Sequence, residues 1–200
     1  MKTLNFEDKD DWLASRKTKI TGSRLKEIYA VKKERKQGFW QLLAERLEIG
    51  DDQSDDPMQR GTDLESEAIK AFEEHEGKKV DTSLVIWTRD DNESIAISPD
   101  GFIGETEAVE VKCLASARHL EAYFEKAIPK DYWLQVLQYF IVNEKLEQLH
   151  FVMYDPRIPQ KSYFKFTVDR NEVAEEVEKY LEYQKKVIEE VNALALELSF

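Results

Sequence analysis

Ser98-Pro99-Asp100-Gly101, followed a little later by Val109-Glu110-Val111-Lys112, is the stretch on which the reading of this chain turns. Side chains two apart on a strand share a face, so Glu110 and Lys112 project together while Val109, Val111 and Cys113 face the other way. One side of such a strand is apolar and buried, and the other carries chemistry. Asp100, at a turn ten residues before Glu110, brings a second carboxylate beside it if the two flanking strands pair. Two carboxylates and a lysine on one sheet edge suit a hard divalent cation. Magnesium takes carboxylate oxygens and water, and the lysine can orient or deprotonate a metal-bound water. Glu-x-Lys alone is common as an ion pair on an exposed strand; Asp-x9-Glu-x-Lys behind Ser-Pro-Asp-Gly is far more restrictive.

Working outward, apolar residues at helical spacing predict helices over 39–49 and over 61–76, the second placing Glu65 in its first half. The run of Asp, Ser and Pro at 51–57 between them reads as a loop. Short strand-like runs follow at 83–88, 94–97 and 108–114, with loops at Asp90-Asp91-Asn92 and Pro99-Asp100-Gly101. An aromatic-rich helix is expected over 132–142, strands over 148–154 and 162–168, and a long acidic amphipathic helix over 170–198. Helix, sheet, helix, sheet, helix indicates a layered α/β or α+β domain. At 200 residues the expectation is one domain spanning 1–200.

Composition narrows the function classes. With 42% hydrophobic and 11% aromatic residues the chain is not of the disordered type, and no apolar run approaches a membrane span. The single cysteine, Cys113, excludes an internal disulfide framework and multi-cysteine zinc sites, and the first residues carry no apolar export segment. The expectation is a cytoplasmic protein with no membrane partner. A net charge of -12 argues against a generally DNA-coating surface. Yet residues 16–36 hold nine basic residues against two acidic ones, an excess of seven positive charges on one strip. Thr21-Gly22-Ser23 reads as a helix start within that strip, where a basic helix N-terminus could hold an anion.

The Pro99-Asp100 and Glu110-Val111-Lys112 arrangement resembles the signature of the PD-(D/E)xK nuclease superfamily. That resemblance implies a restriction-endonuclease-like fold, a central mixed β-sheet flanked by helices, and phosphodiester hydrolysis with Mg2+ or Mn2+. Within the superfamily the chain is similar, over about 12–166, to the lambda exonuclease-like or YqaJ-type viral recombinase family. Gly61-Thr62-Asp63-Leu64-Glu65 resembles that family's Gly-x-x-x-Glu helix, whose glutamate approaches the metal site. Tyr132-Trp133-Leu134-Gln135 resembles its Tyr-x-x-Gln helix, which sets Gln135 beside the catalytic lysine; Gln138 is offset by one from a second family glutamine. Tyr154-Asp155-Pro156-Arg157 resembles a strand-end sequence of the phage members. Trp12-x3-Arg16 with Ile20-Thr21-Gly22-Ser23 resembles the segment that binds a terminal 5′ phosphate, with Arg16 and Ser23 at matching spacing and Lys33, or Lys32, as the further basic residue.

The resemblance implies a metal-dependent 5′-3′ exonuclease acting on ends of double-stranded DNA in phage-type recombination, in a bacterial host or phage-infected cell. Asp100, Glu110, the Val111 carbonyl and Glu65 would hold the metal, two ions per site, and Lys112 with Gln135 would activate water. It further implies a homotrimer and a single-strand annealing partner. Two alternatives stay open: a site-specific or structure-selective endonuclease on the same fold, and a non-catalytic DNA-binding protein. His75, His119 and His150 are too dispersed for a histidine metal site, and His119 is expected on the surface or in a loop. Cys113 reads as a small buried residue. Tyr132, Trp133, Tyr139 and Phe140 read as core packing, as do Phe39 and Trp40 by default, and the acidic terminal helix as a solvated face.

Overall fold

A computed structural model describes residues 1–29, 42, 59–114 and 116–198. In chain order the elements are β1 (Lys2–Asn5), α1 (Lys9–Arg16), α2 (Gly22–Ile28), α3 (Gln59–Glu76), β2 (Val85–Thr88), β3 (Ala96–Ile97), β4 (Gly101–Ile103) and β5 (Glu107–Lys112). They continue with α4 (Ser116–Glu125), α5 (Trp133–Val142), β6 (Gln148–Tyr154), β7 (Tyr163–Asp169) and α6 (Arg170–Glu197). Two sheets result. β1, β2 and β3 pair antiparallel in that order, while β4-β5-β6-β7 form a mixed sheet in which only β5 and β6 run parallel. A parallel pair needs a crossover, and α4 and α5 supply it.

The strand that carries the opening motif lies inside the mixed sheet, not at its edge as the sequence reading has it. It is covered on both faces. Val109 and Val111 pack with Ala68, Ile69 and Phe72 of α3 and Val152 of β6. Ala108 belongs to the larger core with Phe151, Met153 and the inner residues of α5. A strand buried on both sides reads as a near-continuous apolar run, and here that run is interrupted by Glu110. Helix α5 is apolar apart from Gln135 and Gln138, and every residue from Val136 to Val142 is buried, as expected of a helix enclosed by other elements. Helix α6 closes the outer layer through Val173, Tyr180, Gln184, Val187, Ile188 and Val191, a stripe at helical spacing. Its start is fixed by a capping box between Asp169 and Glu172.

Gly101 opens β4 because nothing larger fits: a Cβ there would stand 2.4 Å from Val80 Cγ1. The expected elements from 61 onward are all present with ends shifted by a few residues. β1, α1, β4 and α4 were not anticipated, and the helix and loop expected over 39–57 lie, but for Leu42, outside the described residues. Among the described residues no helix is long and apolar enough to cross a membrane.

Candidate active site

Sheet register brings the two carboxylates together. Gly101 pairs with Val109 and Phe102 with Ala108, so one step back along the antiparallel ladder sets Asp100 beside Glu110. Asp100 is tied there by its Oδ2, which accepts the Val111 N–H at 2.7 Å. The same alternation that puts Val109 and Val111 against α3 turns Ala108, Glu110 and Lys112 toward α5. Glu110 is buried, its side chain 1% exposed, whereas that of Lys112 is 18% exposed. Glu110 Oε1 accepts from both Lys112 Nζ and Gln135 Nε2, and Oε2 accepts from the Tyr139 hydroxyl. Lys112 Nζ also lies 5.1 Å from the centroid of the Tyr132 ring.

Charge in this recess is poorly balanced. Burial, then the neighbouring Glu110, pushes the Asp100 carboxyl well above the ordinary carboxylate range, and Glu65 adds to the push. Glu65 is itself raised, first by burial and then by Glu110, with Lys112 opposing. Burial favours a neutral Lys112, but Glu110 and Asp100 outweigh it and hold the ammonium charged beyond its usual range. Arg16 faces the same carboxylates: burial lowers its pKa, while Glu110 and Asp100 are the next influences and work the other way. Its guanidinium stacks 4.6 Å over the Trp12 ring. Glu65 reaches the group from α3, one turn before Ala68 and Ile69, which pack on the back of β5.

The structure thus draws Asp100, Glu110, Lys112, Gln135, Glu65 and Arg16 into one electrostatic group. Ser23 is exposed, with its hydroxyl 3.4 Å from that of Thr21. It follows Gly22, where a Cβ would stand 2.8 Å from Gln135 Cγ and 2.7 Å from Ile97 Cδ1, so only glycine lets α2 approach α5 this closely. Lys33 and Lys32 lie outside the described residues. Gln135 holds the oxygen that Lys112 also binds and so acts on the lysine through Glu110. Gln138 belongs to the scaffold. It is fully buried and bonds the carbonyls of Ile20 (2.9 Å) and Ala96 (3.0 Å) and the Gln184 amide.

Three sequence expectations change here. His119 is fully buried, not on the surface, because α4 turns it inward against Phe164, and its Nε2 pairs with the Lys161 carbonyl at 2.8 Å. Cys113 is half-buried, and burial, then Glu65 and Asp100, pushes its thiol up to about 12, which removes it as a nucleophile. Tyr139, read as core packing, is core by position yet spends its hydroxyl on Glu110. Its spacing of four from Gln135 on a helix was the available signal.

Among the described residues no three His, Cys, Asp or Glu side chains form a ready-made metal cluster. The chemistry of the donors nonetheless fits a hard divalent ion. Carboxyls crowded in a partly buried recess and raised by burial and by one another's charge are stabilised by a cation that shares their oxygens.

Comparison with known proteins bears on the family and the fold. A model of the YqaJ-like viral recombinase domain matches residues 11–145. No curated protein matches the chain. The structure is similar to that of an alkaline exonuclease, LHK-Exo, from Laribacter hongkongensis, with TM-score 0.82 and 26% identity over 94% of this chain and 95% of that one. It is likewise similar to LHK-Exo in complex with dAMP, with TM-score 0.80 and 25% identity over 95% of this chain and 98% of that one. A phage-related exonuclease from Haemophilus somnus 129PT shares the fold at TM-score 0.60 and 15% identity, over 88% of this chain and 95% of that one. With its mixed sheet, PD-(D/E)xK-like architecture and a domain match over most of its length, the chain belongs to the YqaJ-like viral recombinase family.

Proposed function

We propose that this protein is a metal-dependent exonuclease that degrades one strand of linear double-stranded DNA from its 5′ end, in phage-type recombination. The observation that carries the reading is the group formed by Asp100, Glu110 and Lys112, with the Arg16 guanidinium facing both carboxylates. An arginine whose charge is felt by those carboxylates suits an enzyme that grips a phosphate next to the bond it hydrolyses. The dAMP complex of LHK-Exo supports a mononucleotide product.

Asp100, Glu110, the Val111 carbonyl and Glu65 would hold Mg2+ or Mn2+, two ions in the full site. Bound there, such ions supply Lewis acidity and a nucleophilic water at neutral pH. The chain's own residues do the rest. Gln135 and Tyr139 fix the two oxygens of Glu110, so that the carboxylate meets its ligand in one orientation. Lys112, held charged by Glu110 and Asp100, donates hydrogen bonds that orient the attacking water and balance charge developing on the phosphate. Arg16 and Ser23, with Lys33 from the basic strip, take the terminal 5′ phosphate. The family resemblance adds a homotrimer and an annealing partner, and light scattering at micromolar concentration should give three chains per particle; a monomer would contradict it.

The test of the function uses linear duplexes with and without a 5′ phosphate, and a covalently closed plasmid, all with Mg2+. Release of mononucleotides from the 5′-phosphorylated end, with the plasmid left intact, is expected. Cutting of the closed plasmid would turn the reading to an endonuclease, and no Mg2+-dependent release at all would turn it to a DNA-binding protein.

A further inference from the structure

Lys112 is the last residue of β5, and only Cys113, Leu114 and Ala115 separate it from α4. Its ladder partner is Met153, the last register pair between β5 and β6. Beyond that pair the two chains are joined by side chains. Asp155, just past β6, has a side chain with no exposure at all. Ser116 Oγ, at the start of α4, donates to its Oδ2 at 2.6 Å. Arg157 donates Nε to Oδ1 at 2.7 Å and Nη2 to Oδ2 at 3.0 Å, and Nη2 also reaches the Leu114 carbonyl at 3.0 Å. The Arg157 N–H adds a bond to Oδ1 at 3.0 Å, and the Asp155 N–H donates to the Ser162 carbonyl at 2.8 Å.

One buried carboxylate and one guanidinium therefore continue the β5–β6 register past its last rung, gripping the chain two and four residues beyond Lys112. Arg157, with lesser help from Ser116, holds the Asp155 carboxyl down at about 2, so the pair stays charged across any working pH. As a stability device the pair is a poor choice, because an apolar residue in place of a buried carboxylate costs no desolvation. What the arrangement secures is geometry, through a bidentate fork with fixed angles. We propose that Asp155 and Arg157 are positioning residues, which stop the end of β5 from fraying and so keep Lys112 in register with Glu110. The proposal rests on the reading of Lys112 as a catalytic residue.

Arg157→Ala in the full chain tests it. On linear duplex with Mg2+, kcat falls about tenfold or more, as expected when a catalytic group is displaced by a fraction of an ångström, while KM for DNA ends stays within about twofold. Because the Arg157 side chain is 61% exposed, its slot is open to solvent, and millimolar guanidinium restores part of the lost kcat in Arg157→Ala but none in Lys112→Ala. An unchanged kcat overturns the proposal. So does a rise in KM alone, which makes Arg157 a DNA contact, and so does failure of guanidinium to rescue.

Hydrogen exchange separates this from the nuclease reading. Amides of 111–114 should exchange about tenfold faster in Arg157→Ala even if the wild type releases no nucleotide, and equal exchange overturns the clamp whatever the activity. Should Arg157→Ala not fold, Ser116→Ala removes one arm and is expected to show both effects at roughly threefold, with no change again counting against the proposal.

Discussion

Strand β5 holds two glutamates only three positions apart, and the two ends of the strand handle them differently. Glu107, at the start, is bonded by Lys78 and by His150 Nε2 at 2.8 Å, while His150 Nδ1 pairs with the Thr167 hydroxyl at 3.2 Å. Lys165 and Glu76 pair alongside at 2.8 Å. Burial pushes the Glu107 carboxyl up, but its partners outweigh burial and hold it below the usual range. At the other end Asp100 and Glu65 are raised by burial and by Glu110, and the same Glu110 is shared among Lys112, Gln135 and Tyr139. Every charge at the Glu107 end has its complement within the chain. The Glu110 end keeps an excess of carboxylate in a partly buried recess, a cost in stability that a fold retains where a ligand completes the site.

Isosteric swaps that remove the charge at each end should separate them most sharply. Glu110→Gln is expected to lower Mg2+-dependent nucleotide release by roughly 10²–10⁴-fold, the scale of losing a group at the reacting centre, while Glu107→Gln stays within a few fold. Equal losses would erase the distinction between the ends. Next in size is Tyr139→Phe, which frees one Glu110 oxygen without changing volume. Removing an outer partner of a ligand should weaken Mn2+ binding by about 10- to 100-fold in a titration followed by electron paramagnetic resonance or calorimetry. Unchanged affinity would return Tyr139 to plain core packing.

Stability should respond with opposite signs. His150→Ala leaves Glu107 and Thr167 without a buried partner and is expected to cost about 1–3 kcal/mol in denaturant unfolding, with the rate of hydrolysis preserved. Asp100→Asn keeps an oxygen for the Val111 N–H and removes the charge, so the metal-free protein should gain about 0.5–2 kcal/mol while losing activity. The pH dependence follows from the raised carboxyls. Asp100 and Glu65 bind protons more tightly folded than unfolded, so their contribution is full below the ordinary carboxylate range and is lost as pH rises through the raised values. Metal-free wild type should therefore lose stability more steeply than Asp100→Asn as pH rises above the ordinary carboxylate range in denaturant titrations, and parallel curves would contradict the assignment.

The end of the molecule with unmatched charge was also the more legible one in the sequence. Alternation in Val109-Glu110-Val111-Lys112 sorts the faces of β5 correctly, and Gln148–Tyr154 is found with its observed bounds because its apolar residues run from Leu149 to Tyr154 with only His150 between them. Elements that owe their form to distant partners were not legible. β1 is four exposed residues whose strand conformation comes from pairing with β2. α1 has no buried residue and is announced mainly by the Asp8 cap, which accepts from Asp10 and Asp11 N–H groups. The place of β5 within its sheet depends on β6, almost forty residues later, so an internal strand passed for an edge. The burial of His119 was not legible because residue type says little about where a helix turns a side chain.

Lys112, beside Asp100 and Glu110, is the group that would make this recess a phosphodiesterase site. The most direct test of that role is nucleotide release from 5′-phosphorylated linear duplex with Mg2+, measured for the wild type and for Lys112→Ala at matched fold and DNA binding. Rapid release by the wild type and none above background from the variant is expected. Undiminished release by Lys112→Ala would contradict it.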